Sequence, residues 1–304
     1  MKKNVLITGG TGFVGKHLTA LLLEKGYSVS VFSREKRGNT ADVSYYTWNV
    51  SRGDIEEAAV LNADYIIHLA GENIAGSRWS KLRKSKIIDS RTESAELIYS
   101  ILKKYNKKID VFVSASGIGI YGAINGEDVC LEDFPAATDF LGSTCFQWEK
   151  SVDLMNKLGV RTVKIRTGLV LGKNEGFLKR IIPIFKLGLG AVLGNGKQYM
   201  PWVHIDDLCS IYVEAIENHK MQGSYNAVIN DGTTNIMFSK TLAAIYGHSI
   251  WLPNLPSLLL KLLMGEMAVI VLKGRRVSSD KISKTGFNFK YKNLEKALRN
   301  CLKK

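Results

Sequence analysis

The chain has few cysteines, a shortage of acidic residues and no apolar stretch long enough to cross a bilayer. Its four cysteines, Cys130, Cys145, Cys209 and Cys301, form no C-x-x-C pair and have no histidine at metal-ligand spacing. Neither a zinc site nor a disulfide framework is expected, and a reduced, cytoplasmic setting fits. The N-terminus passes from Met1-Lys2-Lys3-Asn4 into Val5-Leu6-Ile7 and meets glycines too soon to build a signal-peptide core. The longest apolar run, residues 258–272, is interrupted by Lys261 and Glu266. It falls short of the roughly 20 residues a span needs, so no membrane partner is expected. Internal repeats and low-complexity linkers are absent too, which predicts that the two halves of the chain pack against each other.

The acidic shortage, 28 Asp and Glu against 42 Lys and Arg, leaves a net charge of +14. That excess is local. Residues 78–108 hold ten basic and three acidic side chains (+7), residues 270–304 hold eleven and two (+9), and the rest sums to −2. Such regions suit an acidic ligand, nucleic acid or anionic lipid. No helix-turn-helix, zinc or RNA-binding signature accompanies the charge, so nucleic acid is not expected.

What is present is an alternation of short β-rich runs with helical spacing. Strands are predicted at 3–8, 28–33, 64–69, 109–114 and 160–166, with helices at 13–25, 80–104 and 141–157. Crossovers of this length predict the α/β class, with a Rossmann-type doubly wound parallel sheet. Beyond residue 170 come the glycines 188, 190, 194 and 196, a helix opened by Asp206-Asp207, a strand near 223–228 and two or three helices over 234–304. Asp206 and Asp207 are expected to cap their helix.

Thr8-Gly9-Gly10-Thr11-Gly12-Phe13-Val14-Gly15 joins the first strand to the first helix. Gly9 allows the tight turn, Gly12 lets the backbone approach a pyrophosphate, and Gly15 allows helix and strand to pack closely. Thr11, Phe13 and Val14 fall within the same cradle, whose N–H groups and helix dipole suit phosphate. At the end of the second strand stand Ser33 and Arg34, donors suited to a 2′-phosphate, which points to NADP(H). The alternative leaves Arg34 in solvent and gives the ribose to Glu35. These features divide the chain into an NADP-binding Rossmann domain, 1–170, onto which 203–230 packs, and a smaller C-terminal α/β substrate domain, 171–202 with 231–304.

With that motif, Asp64-Tyr65-Ile66-Ile67-His68-Leu69-Ala70-Gly71 and Val113-Ser114-Ala115-Ser116 with Tyr121-Gly122 resemble the extended short-chain dehydrogenase/reductase superfamily. Ala70-Gly71-Glu72-Asn73-Ile74-Ala75, Arg78-Trp79, Ser90-Arg91, Trp148-Glu149, Arg166–Gly172, Gly188-Leu189-Gly190 and Trp202–Leu208 resemble its atypical, epimerase-like subgroup. The C-terminal domain of unassigned function in that subgroup is matched by Gly265-Glu266-Met267, Gly274-Arg275-Arg276-Val277 and Gly286-Phe287. The resemblance implies an NADP-binding protein. By position it implies that Leu69 and Ala70 meet the adenosine through backbone contacts, and that Lys86 and Arg91 reach phosphates of cofactor or substrate. Lys197, Gln198, Trp202 and His204 sit where extended members line a substrate pocket, His204 being more readily a structural turn residue.

Ordinary members pair a serine with Tyr-x-x-x-Lys, the lysine lowering the phenol pKa. Ser116 matches the serine. The pair aligns with Cys145-x-x-x-Glu149, which cannot form a tyrosinate. Glu149 is expected to accept from ribose hydroxyls, Cys145 to be a buried small hydrophobe, and Tyr121 to be the remaining proton donor. The expectation is an NADP(H)-dependent oxidoreductase or epimerase-like enzyme acting on a small polar or nucleotide-linked molecule, as a monomer or homodimer. The alternative is a non-catalytic NADP(H)-binding regulator.

Overall fold

Runs of β-branched residues alternating with amphipathic helices set the layers of the computed structural model, which describes residues 2–173 and 175–303. Strand β1 (Asn4–Thr8) leads into α1 (Phe13–Glu24), β2 (Ser28–Ser33), β3 (Val43–Asn49), β4 (Asp54–Ile55), α2 (Glu57–Leu61), β5 (Tyr65–His68), α3 (Lys81–Lys104) and β6 (Val111–Gly117). There follow β7 (Gly126–Cys130), α4 (Phe140–Val152), β8 (Arg161–Thr167), β9 (Leu169–Leu171), α5 (Gly176–Lys186), β10 (Trp202–His204), α6 (Ile205–Glu217) and β11 (Gly223–Ala227). Last come α7 (Asn235–Ile245), α8 (Ser257–Met264), α9 (Val269–Leu272), β12 (Arg275–Val277), α10 (Asp280–Ser283) and α11 (Leu294–Leu302).

The main sheet has the order β11-β8-β6-β5-β1-β2-β3-β4, parallel except for the short antiparallel β3–β4 pair. This is the expected Rossmann-type architecture. Successive side chains point to opposite faces, and both faces are covered. Val5, Ile7, Val29 and Val31 pack with Leu18 and Leu22 of α1 and Leu208 and Tyr212 of α6. Leu6, Phe32 and Ile66 pack on the other side with Ala95, Ile98 and Leu102 of α3 and Trp148 of α4. The strand order reverses at β1 and β5, which opens a crevice at the carboxyl ends of the strands.

The C-terminal segment shares the first of these cores through Ile282, Leu294 and Leu298. It also returns to the first half of the chain, where β12 pairs in parallel with β7. Among the described residues no helix is long and apolar enough to cross a membrane.

Several elements depart from the sequence expectations. Strand β3 is an addition: Ser44 to Thr47 are polar or aromatic, and the strand is held by its ladder to β2 and by Trp48 stacked on Phe32, ring centroids 4.8 Å apart. The helix predicted over 141–157 ends at Val152 and gives way to 3-10 turns. Strand β6 runs on to Gly117, so Ser116 lies in the sheet directly opposite Arg166 of β8. The cap of α6 is His204, whose Nδ1 accepts the Asp206 N–H at 3.2 Å, and not either aspartate. Asp207 turns away and accepts the N–H groups of Lys290 and Tyr291 at 2.7 and 3.0 Å. It fastens the C-terminal segment.

Candidate functional site

A cleft of about 790 Å3 runs from the glycine loop, past the carboxyl ends of the central strands, to the C-terminal segment. Gly9 (φ +69°) makes the turn, with Leu69 backbone so near that an added Cβ would lie 2.9 Å from its carbonyl oxygen. At Gly15 an added Cβ would lie 2.4 Å from the Gly9 oxygen and 2.5 Å from the Gly10 Cα. Both contacts are backbone and cannot yield. Gly12 is the N-cap of α1, contributes no side-chain acceptor, and no acidic residue occupies the first turn. The N–H groups that open α1 are therefore left for an anion. Gly9, Gly12, Phe13, Val14 and Gly15 line the cleft, whereas Thr11 does not.

Because Thr8 of β1 pairs with Phe32 of β2, Ser33 ends beside the glycine loop. The Ser33 hydroxyl accepts from the Glu35 N–H and from Arg37 Nε, each at 3.3 Å. Arg34 is 85% exposed and reaches Glu72 at 3.7 Å. Arg37, given no role by the sequence, thus joins Ser33 and Arg34. The Thr8 hydroxyl accepts the N–H groups of Leu69 and Ala70 at 3.1 and 3.0 Å. Their N–H donors are thus already used, and of the two only Leu69 lines the cleft.

Helix α3 forms one wall. Arg91 donates to the carbonyls of Ile87 and Glu72 at 2.7 and 3.0 Å and lies over the Trp148 ring, 5.0 Å from its centroid. Burial pushes its guanidinium below the usual value. Among the described residues no carboxylate forms a salt bridge with it, so its charge faces the cleft unneutralised. Lys86 is exposed and does not line the cleft, because it projects from the solvent side of the helix. Beneath this wall His68 is fully buried between Ser94 and Ser114 and is pushed down to about 3 by burial and then by Arg91, so it is neutral.

Behind the cleft floor the strand register places Ser116, Arg166 and Asn226 in one row across β6, β8 and β11. Arg166 holds the Glu149 carboxylate with Nε and Nη2 at 2.8 and 2.9 Å. The same carboxylate accepts from Ser116 at 2.7 Å and Ser224 at 3.2 Å. Burial would raise the Glu149 carboxyl, but the hydrogen bonds and charge of Arg166, with Ser116, hold it below the ordinary value. Tyr121 donates to Asn226 Oδ1 at 2.7 Å and accepts from Arg166 Nη1 at 3.0 Å. The amide orientation follows from Asn226 Nδ2, which donates to the Ser278 carbonyl. Burial pushes the phenol up to about 12.

Three expectations change as a result. Glu149 has no oxygen free for a ribose and is absent from the cleft lining. Ser116, whose partner is an ionised acceptor, directs its only proton away from the cleft. Tyr121 borders the cleft but spends its hydroxyl in the network. Cys145 meets its expectation as a buried residue, its thiol pushed up to about 12 by burial and Glu149.

At the far end the lining includes Leu193, Gln198, Met200, Val271, Lys273 and Arg275. Gln198 donates to the Leu193 and Val271 carbonyls at 3.0 and 2.8 Å and joins the glycine-rich loop to the C-terminal segment. Trp202 is fully buried and bonded to Asp231 and Thr233, and His204 is a buried cap. Neither lines the cleft, and neither does Lys197. Lys273 and Arg275, which the sequence left without a role, have no salt-bridge partner among the described residues.

Residues 5–229 match the model of the NAD dependent epimerase/dehydratase family. The chain belongs to that family. Residues 255–301 match a second model, described as a domain of unknown function, DUF1731. Within the NAD dependent epimerase/dehydratase family, the chain is 33% identical over 296 residues to the Epimerase family protein YfhF of Bacillus subtilis, covering 97% of this chain and 96% of that one. It is 32% identical over 305 residues to the human Epimerase family protein SDR39U1, covering 98% and 99%. The crystal structure of human SDR39U1 (isoform 2) with NADPH superposes with a TM-score of 0.88 at 29% identity, covering 98% of each chain. A more distant fold relative at 17% identity, MoeE5 in complex with UDP-glucuronic acid and NAD, has a TM-score of 0.78 and covers 97% and 96%.

Proposed function

We propose that the chain binds NADP(H) along the cleft and serves as an oxidoreductase or epimerase-like enzyme on a small anionic substrate. The observation that carries this reading is the continuity of the cleft from Gly9–Gly15 to Lys273 and Arg275, which gives cofactor and substrate one shared space. The uncapped start of α1 fits a pyrophosphate, and Arg34 with Arg37 around Ser33 fits a 2′-phosphate better than a bare ribose. The human relative crystallised with NADPH supports the same choice. Arg91 supplies unneutralised positive charge between these subsites.

When bound, the cofactor supplies hydride exchange. The chain's own contribution is positioning. Lys273 and Arg275 hold the anionic group of the substrate, with segments 171–202 and 231–304 as the substrate side. Val271, Met200 and Leu193 exclude bulk water. Ser116 and Tyr121 stabilise the floor through Glu149 and Arg166, and the proton is carried by water within the cleft.

The engaged hydroxyls of Ser116 and Tyr121 favour one second reading, a non-catalytic NADP(H)-binding regulator. Titration with NADPH and NADH, followed by 340 nm assays across phosphorylated, carboxylated and nucleotide-linked carbonyl compounds, separates the two. Tight NADPH binding with turnover of an anionic substrate is expected. Absence of NADPH binding overturns both readings, and tight binding without turnover across the series leaves the regulator.

A further inference from the structure

Helix α8 is built almost entirely of apolar residues, Ser-Leu-Leu-Leu-Lys-Leu-Leu-Met, yet only Leu260 is buried. Leu258 and Leu262 are 78% and 72% exposed, and Leu259 and Leu263 complete the uncovered surface. The C-terminal end of α8 rests on the start of α3. Arg78 donates to the carbonyls of Leu262 and Leu263 at 2.6 to 2.9 Å, and Lys84 pairs with Glu266. The first turn of α3 adds Leu82, 68% exposed. Residues 78–86 carry five basic side chains and no acidic one; Arg83 is paired with Glu72, while Lys81 and Lys86 are exposed and Lys261 projects from α8 itself. Lys81 and Lys261 have no salt-bridge partner among the described residues.

We infer that α8 and the start of α3 form a docking surface for an anionic lipid bilayer, lying on it without crossing it. Exposed leucines bordered by lysines match the two attractions that hold an interfacial helix, burial of apolar area and pairing with anionic headgroups. A second copy of the chain fits less well. The five leucines present on the order of 600 Å2, short of the roughly 800 Å2 that each partner contributes to a standard interface. The basic border would also face its own like charge. Beginning five residues after the end of α8, Val269, Ile270 and Val271 line the cleft, so this surface lies at its rim. The inference stands independently of the cofactor assignment.

The test is sedimentation of the full chain with phosphatidylcholine vesicles, with and without about one third phosphatidylglycerol, at low and raised salt. Binding only to the anionic vesicles, weakened by salt, is expected. Leu258→Glu with Leu262→Glu should weaken it about tenfold or more, and Lys81→Glu with Lys261→Glu should also weaken it. Circular dichroism melts report whether each variant keeps its fold. No vesicle binding, equal binding to neutral vesicles, or binding unchanged in either folded double variant overturns the inference. So does a dimer, seen by light scattering, that the leucine substitutions dissolve.

Discussion

Replacing Glu149 by glutamine leaves the Arg166 guanidinium buried without its counter-charge. The pair is bidentate, at 2.8 and 2.9 Å, and both side chains are less than a tenth exposed. At an effective dielectric near 20, unit charges about 4 Å apart attract by about 4 kcal/mol, and removing one partner from a buried pair typically costs about 3–5 kcal/mol. Glu149→Gln and Arg166→Met are therefore each expected to lower the equilibrium unfolding free energy by about that amount in urea titrations. The double variant Glu149→Leu/Arg166→Met should lose at least about 2 kcal/mol less than the summed costs of Glu149→Leu alone and Arg166→Met alone, because no unpaired charge remains. It stays below wild type, since Ser116, Ser224 and Tyr121 lose partners. The pH dependence has a definite sign. A carboxyl depressed in the fold contributes stability above its unfolded pKa, and that contribution is lost as the pH falls through the folded value. Wild type should thus weaken in acid below about pH 4, more steeply than Glu149→Gln. Single costs under about 1 kcal/mol, or additivity within about 0.5 kcal/mol, would refute the reasoning.

The glycine loop gives a contrast. Gly15→Ala should destabilise by about 2 kcal/mol or more in thermal melts, since both clashes are with backbone, whereas Gly12→Ala, meeting only the Gly9 oxygen at 3.2 Å, should fold and bind NADPH at least about tenfold more weakly. Equal stability losses in the two variants would contradict this. Arg34→Ala and Arg37→Ala should each raise the NADPH dissociation constant about tenfold and leave that for NADH unchanged, as titration calorimetry would read; a parallel loss for both cofactors removes the 2′-phosphate assignment. The His68 ring should stay neutral from pH 8 to pH 5 in NMR titration, with its stabilising contribution complete above about 6.5 and lost towards 3. A midpoint near 6.5 in the folded protein excludes this burial.

The sequence was most legible where periodicity and glycine spacing act locally. The first two strands, α1, α3 and the Gly9–Gly15 turn need only nearest-neighbour chemistry, and they stand where the pattern put them. Strand β3 was not legible because its polar and aromatic residues are held by β2 and by a single stacking contact, not by their own alternation. The network around Glu149, Ser116 and Tyr121 was not legible for a related reason. Their hydroxyl and carboxylate bonds depend on Arg166 and Asn226, which the sheet register brings beside them from positions up to 110 residues later. Arg37 lies only four residues beyond Ser33, a spacing that itself signals its reach to the strand end.

The parallel pairing of β12 with β7, together with the grip of Asp207 on the Lys290 and Tyr291 amides, constrains how this protein can be inherited or engineered. The region matched by the second family model is not an appendage: it completes a small sheet begun by the first and satisfies a buried aspartate there. Cut away, it would deprive Asp207 of both its donors and take Val277 from beside Ile120 and Cys130. The two regions share one hydrophobic core and one small sheet. Exchanging either with a relative would require matching partners on both sides of the junction.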